Sequence, residues 1–226
     1  LEATEGTWAE SPAELHTMDV GVGRLPVASV EEARNVVDKI IHYETAETGP
    51  GSWRKKIVFV ADDGNSEDNF TSLHQYQADQ LATAIEADFP AMDTRRLFVG
   101  SYKKIVQPNG ETVPDLVDDI KRSFDLGALI INFTGHGSEL VWTDERVLTE
   151  KTISELRNDR YPFLVTATCE FGRQDDPLHI SSAERSVTRK EGGSIGLVTT
   201  ARPVNATTNF SLNEAFYQAL FERGTN

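Results

Sequence analysis

Apolar positions along the chain switch period repeatedly, and each switch marks an element. At 30–44, VEEARNVVDKIIHYE places Val36, Val37, Ile40 and Ile41 at helical spacing, with Ser29 as a plausible N-cap. GPGSW then breaks the chain, and KKIVFVADDG is a short, β-rich apolar run that ends in a turn. SLHQYQADQLATAIEADF predicts a helix that stops before Pro90, RRLFVGSY a strand, and VPDLVDDIKRSFD a helix with Pro114 in its first turn. Next come strand GALIINFTG, a short helix near TEKTISELRND and strand PFLVTATC. A helix near SAERSVTRKEG, strand GSIGLVTTA and helix NFSLNEAFYQALFERG complete the series. Strands alternating with helices imply α/β architecture: a mostly parallel sheet with helices on both faces. The strands are near-continuous apolar runs, as strands buried on both faces should be.

Composition narrows the class. The chain has 226 residues, 38% hydrophobic and 26% charged, enough for one packed domain. A net charge of −14 argues against a nucleic-acid partner, whose phosphates demand clustered Lys and Arg. No apolar run reaches the length of a membrane span. The start, LEATEGTWAE, has neither an initiator Met nor a secretory apolar region, and is expected to be the start of an excised or processed segment. A single cysteine, Cys169, excludes an internal disulfide and leaves a buried inert thiol or a reactive one.

Two stretches decide between these. NFTGHGSEL, 132–140, follows one apolar strand, and TATC closes another. In open α/β sheets ligands bind beyond the carboxyl ends of the strands, and His136 and Cys169 both stand just past such ends. They are 33 residues apart, from 136 to 169, which leaves room for a loop, a short helix and one strand: a crossover between parallel strands. An imidazole beside a thiol can take its proton and so make the nucleophilic thiolate. Gly135 and Gly137 permit close approach of backbone, and the N–H groups of Gly137 and Cys169 could form an oxyanion hole.

An apolar run into GHG followed by an apolar run into ATC resembles the caspase-like cysteine peptidases, and more narrowly the gingipain family. GRLPVASVEEARNVVDKIIHYE, FTGHGSELVW, TATCEFGRQDD and GGSIGLVTTARPVNATTNFSLNEAF follow in the family's order. TCEFGRQDDP and TTAR carry the likeness toward the family's sortase members of type IX secretion. The resemblance runs from about Val22 to the end. It implies a caspase-like three-layer sandwich in a peptidase domain over 1–226, with 1–21 a lead-in loop and 22–226 the catalytic subdomain. The domain's N-terminal strands are expected to lie upstream. It implies Cys169 as nucleophile and His136 as general base and then acid. The family's acid that orients the histidine falls at FVADDG, where Asp63 and Asp62 both qualify; on composition alone Asp-Asp-Gly-Asn is an ordinary solvated turn. Walls of the substrate cleft are implied at Trp142 and at Thr200 and Arg202, and Glu170 follows the nucleophile in a loop that could line a pocket. Packing of its loop against the body is the other reading of Trp142.

The resemblance also implies cargo proteins with a C-terminal sorting domain, outer-membrane secretion components as partners, and an address at the outer membrane, the cell surface or outside the cell. A general secreted protease and a non-catalytic interaction module are the alternatives. No cofactor is required by a thiol mechanism. Gingipain-like enzymes carry structural calcium, which makes DDGNSED a calcium candidate, although it lacks EF-hand spacing. His16, His42, His74 and His179 show no metal-ligand spacing, and His74 is read as an ordinary helix residue. Glu139, Glu170, Asp175 and Asp176 crowd the cleft, so a preference for basic residues is conceivable on charge alone; a strict one is not expected.

Overall fold

The computed structural model describes residues 22–45, 51–64, 73–108 and 110–221. The expected lead-in loop, 1–21, lies outside them. Five parallel strands form the central sheet in the order β2 (Asp93–Phe98), β1 (Lys56–Ala61), β5 (Ile130–Thr134), β8 (Phe163–Ala167), β9 (Gly196–Thr199). Two small antiparallel pairs decorate it: β3 (Ile105–Gln107) with β4 (Gly110–Thr112), and β6 (Val141–Trp142) with β7 (Leu148–Thr149).

The near-continuous apolar runs are explained by burial on both faces. In β1, Ile57, Phe59 and Ala61 join one core with Leu81 and Ile85 of α2 (Leu73–Asp88) and Tyr217 of α6 (Ala206–Phe221). Val58 and Val60 point the other way. Their core includes Leu116 and Phe124 of α3 (Pro114–Leu126), Ile153 of α4 (Glu150–Glu155) and Ala183 of α5 (Ser182–Thr188). Helices therefore cover both faces, and the three-layer expectation holds. α1 (Val30–Glu44) is capped by Ser29, whose side chain accepts from Glu32 N–H. It packs outside α5. α6 begins at Ala206, earlier than its apolar pattern suggests. Asn205 caps it, with Oδ1 accepting from Thr207 N–H at 2.9 Å.

Two polar devices pin helices to the body. Asn132, buried in β5, donates to Asn213 Oδ1 at 3.0 Å; Asn213 donates to Thr134 Oγ1 at 3.3 Å, and Thr134 donates to Asn132 Oδ1 at 3.3 Å. This closed triangle fastens α6 to β5 where no water competes. Lys39 of α1 is 3% exposed, and its ammonium donates to the carbonyls of Ser186, Val187 and Ser194 at 3.2, 3.0 and 3.4 Å. Burial, with Arg189 adding to it, pushes this amine from 10.5 down to about 7.

Asn213→Ala breaks the triangle and strands two buried partners, so unfolding stability should fall by about 1–3 kcal/mol; an unchanged urea midpoint would show that the triangle contributes nothing. Lys39 generates a pH effect. Its folded value lies below its unfolded one, so between about 7 and 10.5 the unfolded chain holds more protons. Its contribution to stability therefore grows as pH rises through that window. Relative to Lys39→Met, the native protein should gain up to about 1.4 kcal/mol per pH unit between pH 7 and 9. Parallel stability curves for the two proteins would overturn this.

Candidate active site

β5 and β8 are neighbours and parallel, with Thr134 opposite Ala167. His136 and Cys169 each lie two residues beyond that last pair, so register alone delivers both to one edge of the sheet. Both line a cavity of about 310 Å³ with His74 and Gln77 of α2 and with Asn205, Thr207 and Asn209 at the start of α6. Larger concavities lie between α1, α4 and α5 and between α2 and α6, but neither contains the thiol or His136. Cys169 is half-buried, with Sγ 3.8 Å from the Val204 carbonyl. It is not filler in a core.

The glycines around His136 are explained by crowding. A Cβ on Gly135 would lie 2.3 Å from Asp62 Cβ, and one on Gly137 would lie 2.5 Å from Thr168 Oγ1. The first glycine lets the histidine loop lie on the end of β1, and the second lets it lie against Thr168, the residue before Cys169. Gly137 also pairs with Trp142: Thr143 N–H donates to the His136 carbonyl and Ser138 N–H to the Val141 carbonyl, both at 3.0 Å. Among the described residues, none accepts a hydrogen bond from the N–H of Gly137 or Cys169. Glu170, next after Cys169, is held at φ 54°, a left-handed turn directly behind the thiol residue.

The two aspartates separate cleanly. Asp62 is 4% exposed; its Oδ2 accepts from His136 N–H at 3.0 Å and its Oδ1 from Gly64 N–H at 3.3 Å. Burial pushes its carboxyl up, and those two N–H groups pull it back. Asp63 turns outward to Lys104 at 3.0 Å. Asp62 is thus the acid that holds the histidine loop, through its backbone. The rings of His74 and His136 meet edge-on with centroids 5.1 Å apart, which makes His74 a site neighbour instead of the ordinary helix residue expected.

The cleft walls need correction. Trp142 is wholly buried, stacked on Phe133 at 4.5 Å and packed against Phe171; its indole fills the core beneath the histidine loop and walls no cleft. Glu170, Thr200 and Arg202 brace the loop that carries Cys169 and do not line the cavity. Glu170 N–H donates to the Arg202 carbonyl at 3.4 Å, Thr200 Oγ1 donates to the Thr168 carbonyl, and Gly172 N–H donates to the Thr200 carbonyl at 2.9 Å. Sequence reasoning missed Gln77, Asn205, Thr207 and Asn209. The one available signal was Asn205 as an N-cap, which would have brought the start of α6 up to the thiol.

Asp62, Asp63 and Glu145 offer carboxylate oxygens within 4.8 Å of one another. The Lys104 ammonium lies 2.7 Å from Glu145, 3.0 Å from Asp63 and 3.3 Å from Glu111, one positive charge among three carboxylates. Lys104 thus occupies one side of the cluster, while Asp63 Oδ1 and Glu145 Oε2 are buried with no donor among the described residues. The rest of the DDGNSED stretch, from residue 65, lies outside the described residues.

With this geometry in place, comparison is decisive. The model of peptidase family C25 matches residues 5–226. The chain belongs to peptidase family C25. Gingipain R2 of Porphyromonas gingivalis is 26% identical over 161 residues, 70% of this chain and 20% of the gingipain. Gingipain R1 of the same organism shows the same identity over 70% of this chain and 14% of its own length. The complex of Porphyromonas gingivalis RgpB pro- and mature domains superposes with a TM-score of 0.72 at 18% identity, covering 92% of this chain and 47% of that one. The Arg-specific cysteine proteinase gingipain R gives 0.69 at 17%, covering 88% and 44%. The chain thus spans less than half of these relatives. It shares the gingipain fold, a caspase-like α/β sheet. None of the described helices is long and apolar enough to cross a membrane.

Gly135→Ala tests the crowded approach. Its Cβ must displace Asp62 or the histidine loop, and a shift of that kind in a C25 peptidase should lower kcat/KM by at least about tenfold. Retained activity with an unchanged circular-dichroism spectrum would show that the close approach is dispensable.

Proposed function

We propose that this chain is the catalytic part of a cysteine endopeptidase that also transfers acyl groups, akin to PorU, the sortase of type IX secretion. The observation that supports the chemistry is the shared cavity of Cys169 and His136 at the register-matched ends of β5 and β8. His136 takes the thiol proton, and Sγ forms a bond to the scissile carbonyl carbon. The oxyanion collects the N–H groups of Gly137 and Cys169. The C–N bond then breaks, and His136 returns its proton to the leaving amine. The acyl thioester is resolved by water, giving an acid, or by an amine, giving a new amide. Asp62 serves as the acid that positions the histidine.

In the sortase reading the acyl group comes from secreted cargo whose C-terminal sorting domain is removed, and the amine belongs to an anionic lipopolysaccharide. Outer-membrane secretion components are the partners, and the outer membrane or cell surface is the address. TCEFGRQDDP and TTAR support this reading. Likeness to gingipains R1 and R2 favours a second one, a general secreted protease that stops at hydrolysis.

Incubating the full-length protein with a tagged cargo tail and a soluble amine, followed by mass spectrometry, separates the two. An amide adduct is expected; hydrolysis alone at saturating amine selects the general protease. Cys169→Ala should abolish both products, and His136→Ala should lower turnover by about 10²–10⁴-fold. Cleavage that survives Cys169→Ala would remove the thiol mechanism altogether.

A further inference from the structure

The cavity beside Cys169 carries information about specificity that its position alone does not. Gln77 is 5% exposed, and no described residue donates a hydrogen bond to its Oε1. It faces a cavity that also presents Thr134, Thr168, Asn205, Thr207 and the two imidazoles, beside apolar Ala167, Val204 and Ala206. Among the described lining residues there is no Asp, Glu, Lys or Arg. A buried carbonyl oxygen without a donor is costly to keep, and a ligand that supplies the donor recovers that cost.

The acids that crowd the neighbourhood are already engaged. Arg173 pairs with Glu139 at 2.7 Å and stands 3.8 Å from Glu170. Arg202 grips Asp175 with both guanidinium nitrogens. Asp176 accepts from Leu178 N–H at 2.8 Å and meets His179 at 3.2 Å. Asp62, which touches Gly135 from behind, gives its two oxygens to the N–H groups of His136 and Gly64. The first turn of α6 opens on the cavity, and a helix N-terminus disfavours positive charge. A guanidinium or ammonium placed there would lose water and find no counter-charge.

We propose that this cavity receives the side chain of the residue whose carbonyl Cys169 attacks, and that Gln77 makes it select neutral hydrogen-bonding side chains over Arg and Lys. The proposal rests on the thiol-peptidase reading above. A carboxamide or hydroxyl suits the site. Its N–H or O–H satisfies Gln77 Oε1, and Asn205 and Thr207 in the same wall supply further partners. An apolar side chain leaves Gln77 unsatisfied, and a cation leaves its own charge unpaired. One unmade buried hydrogen bond is worth roughly 10- to 100-fold in discrimination.

The test is a peptide library varied on both sides of the scissile bond, read as kcat/KM with the full-length protein. Asn, Gln, Ser or Thr before the cleaved bond should exceed Arg and Lys by roughly 10- to 100-fold. Gln77→Glu should narrow or reverse that ratio, because it installs the missing carboxylate. Gln77→Leu should raise apolar residues relative to polar ones. The circular-dichroism spectrum reports that each variant is folded. An Arg or Lys preference in the native protein, selectivity confined to the leaving side, or a profile unmoved by both variants would overturn the proposal. All three leave the peptidase reading standing as long as Cys169→Ala is inactive; cleavage by Cys169→Ala would sink that reading instead.

Discussion

Everything at this site depends on the parallel registration of β5 on β8. A one-residue slip would invert every side chain of the strand and send its core residues to the opposite face. Here slippage is opposed from both sides, because Ile131 and Phe133 pack in one core while Ile130 enters the other. The pairing of Thr134 with Ala167 therefore fixes where each loop departs. His136 and Cys169 inherit their proximity from the sheet, with no contact of their own required to create it.

What the sheet does not supply is the final approach of the two loops. That comes from a missing Cβ on each side of His136, from Asp62 gripping the histidine's N–H, and from the left-handed turn at Glu170. These features form one unit. Asp62 can reach the histidine backbone only because Gly135 lets β1 and the loop close up. The raised pKa of Asp62 is the electrostatic counterpart of that closure, since excluding water from the carboxylate disfavours its charge. On the far side, the triangle of Asn132, Thr134 and Asn213 holds α6 so that its first turn closes the cavity.

The sheet was legible because its signal is long and redundant. Strands buried on both faces give unbroken apolar runs such as IVFVA and GALII, and the helices between them show a second period. Strand ends point to ligands by a general rule, so His136 and Cys169 could be picked out before any coordinates. Trp142 shows the limit. A large aromatic six residues after a site histidine looks like a wall, yet whether it points to solvent or into the core is set by the β6–β7 turn, too short to leave a periodic trace. The choice between Asp62 and Asp63 was illegible for a related reason: the two carboxylates are adjacent, and only the tertiary positions of Lys104 and the histidine loop say which meets which. Gln77 was hidden inside a helical pattern, where a polar residue on a buried face cannot be told from one on a solvated face without knowing the helix's rotation.

The same distinction governs charge. A formal charge of −14 suggests an acidic cleft, but the sum says nothing about where unpaired carboxylates stand. Around Cys169 several carboxylates are paired locally. Arg173 ties the histidine loop's Glu139 to the nucleophile loop, and Arg202 ties Asp175 to the end of β9. Exposed pairs of this sort add little stability. The backbone bonds from Gly172 to Thr200 and from Ser182 to Glu139 already fix those loops. The arginines therefore do less to hold the loops than to offset part of their charge beside the cavity at Cys169.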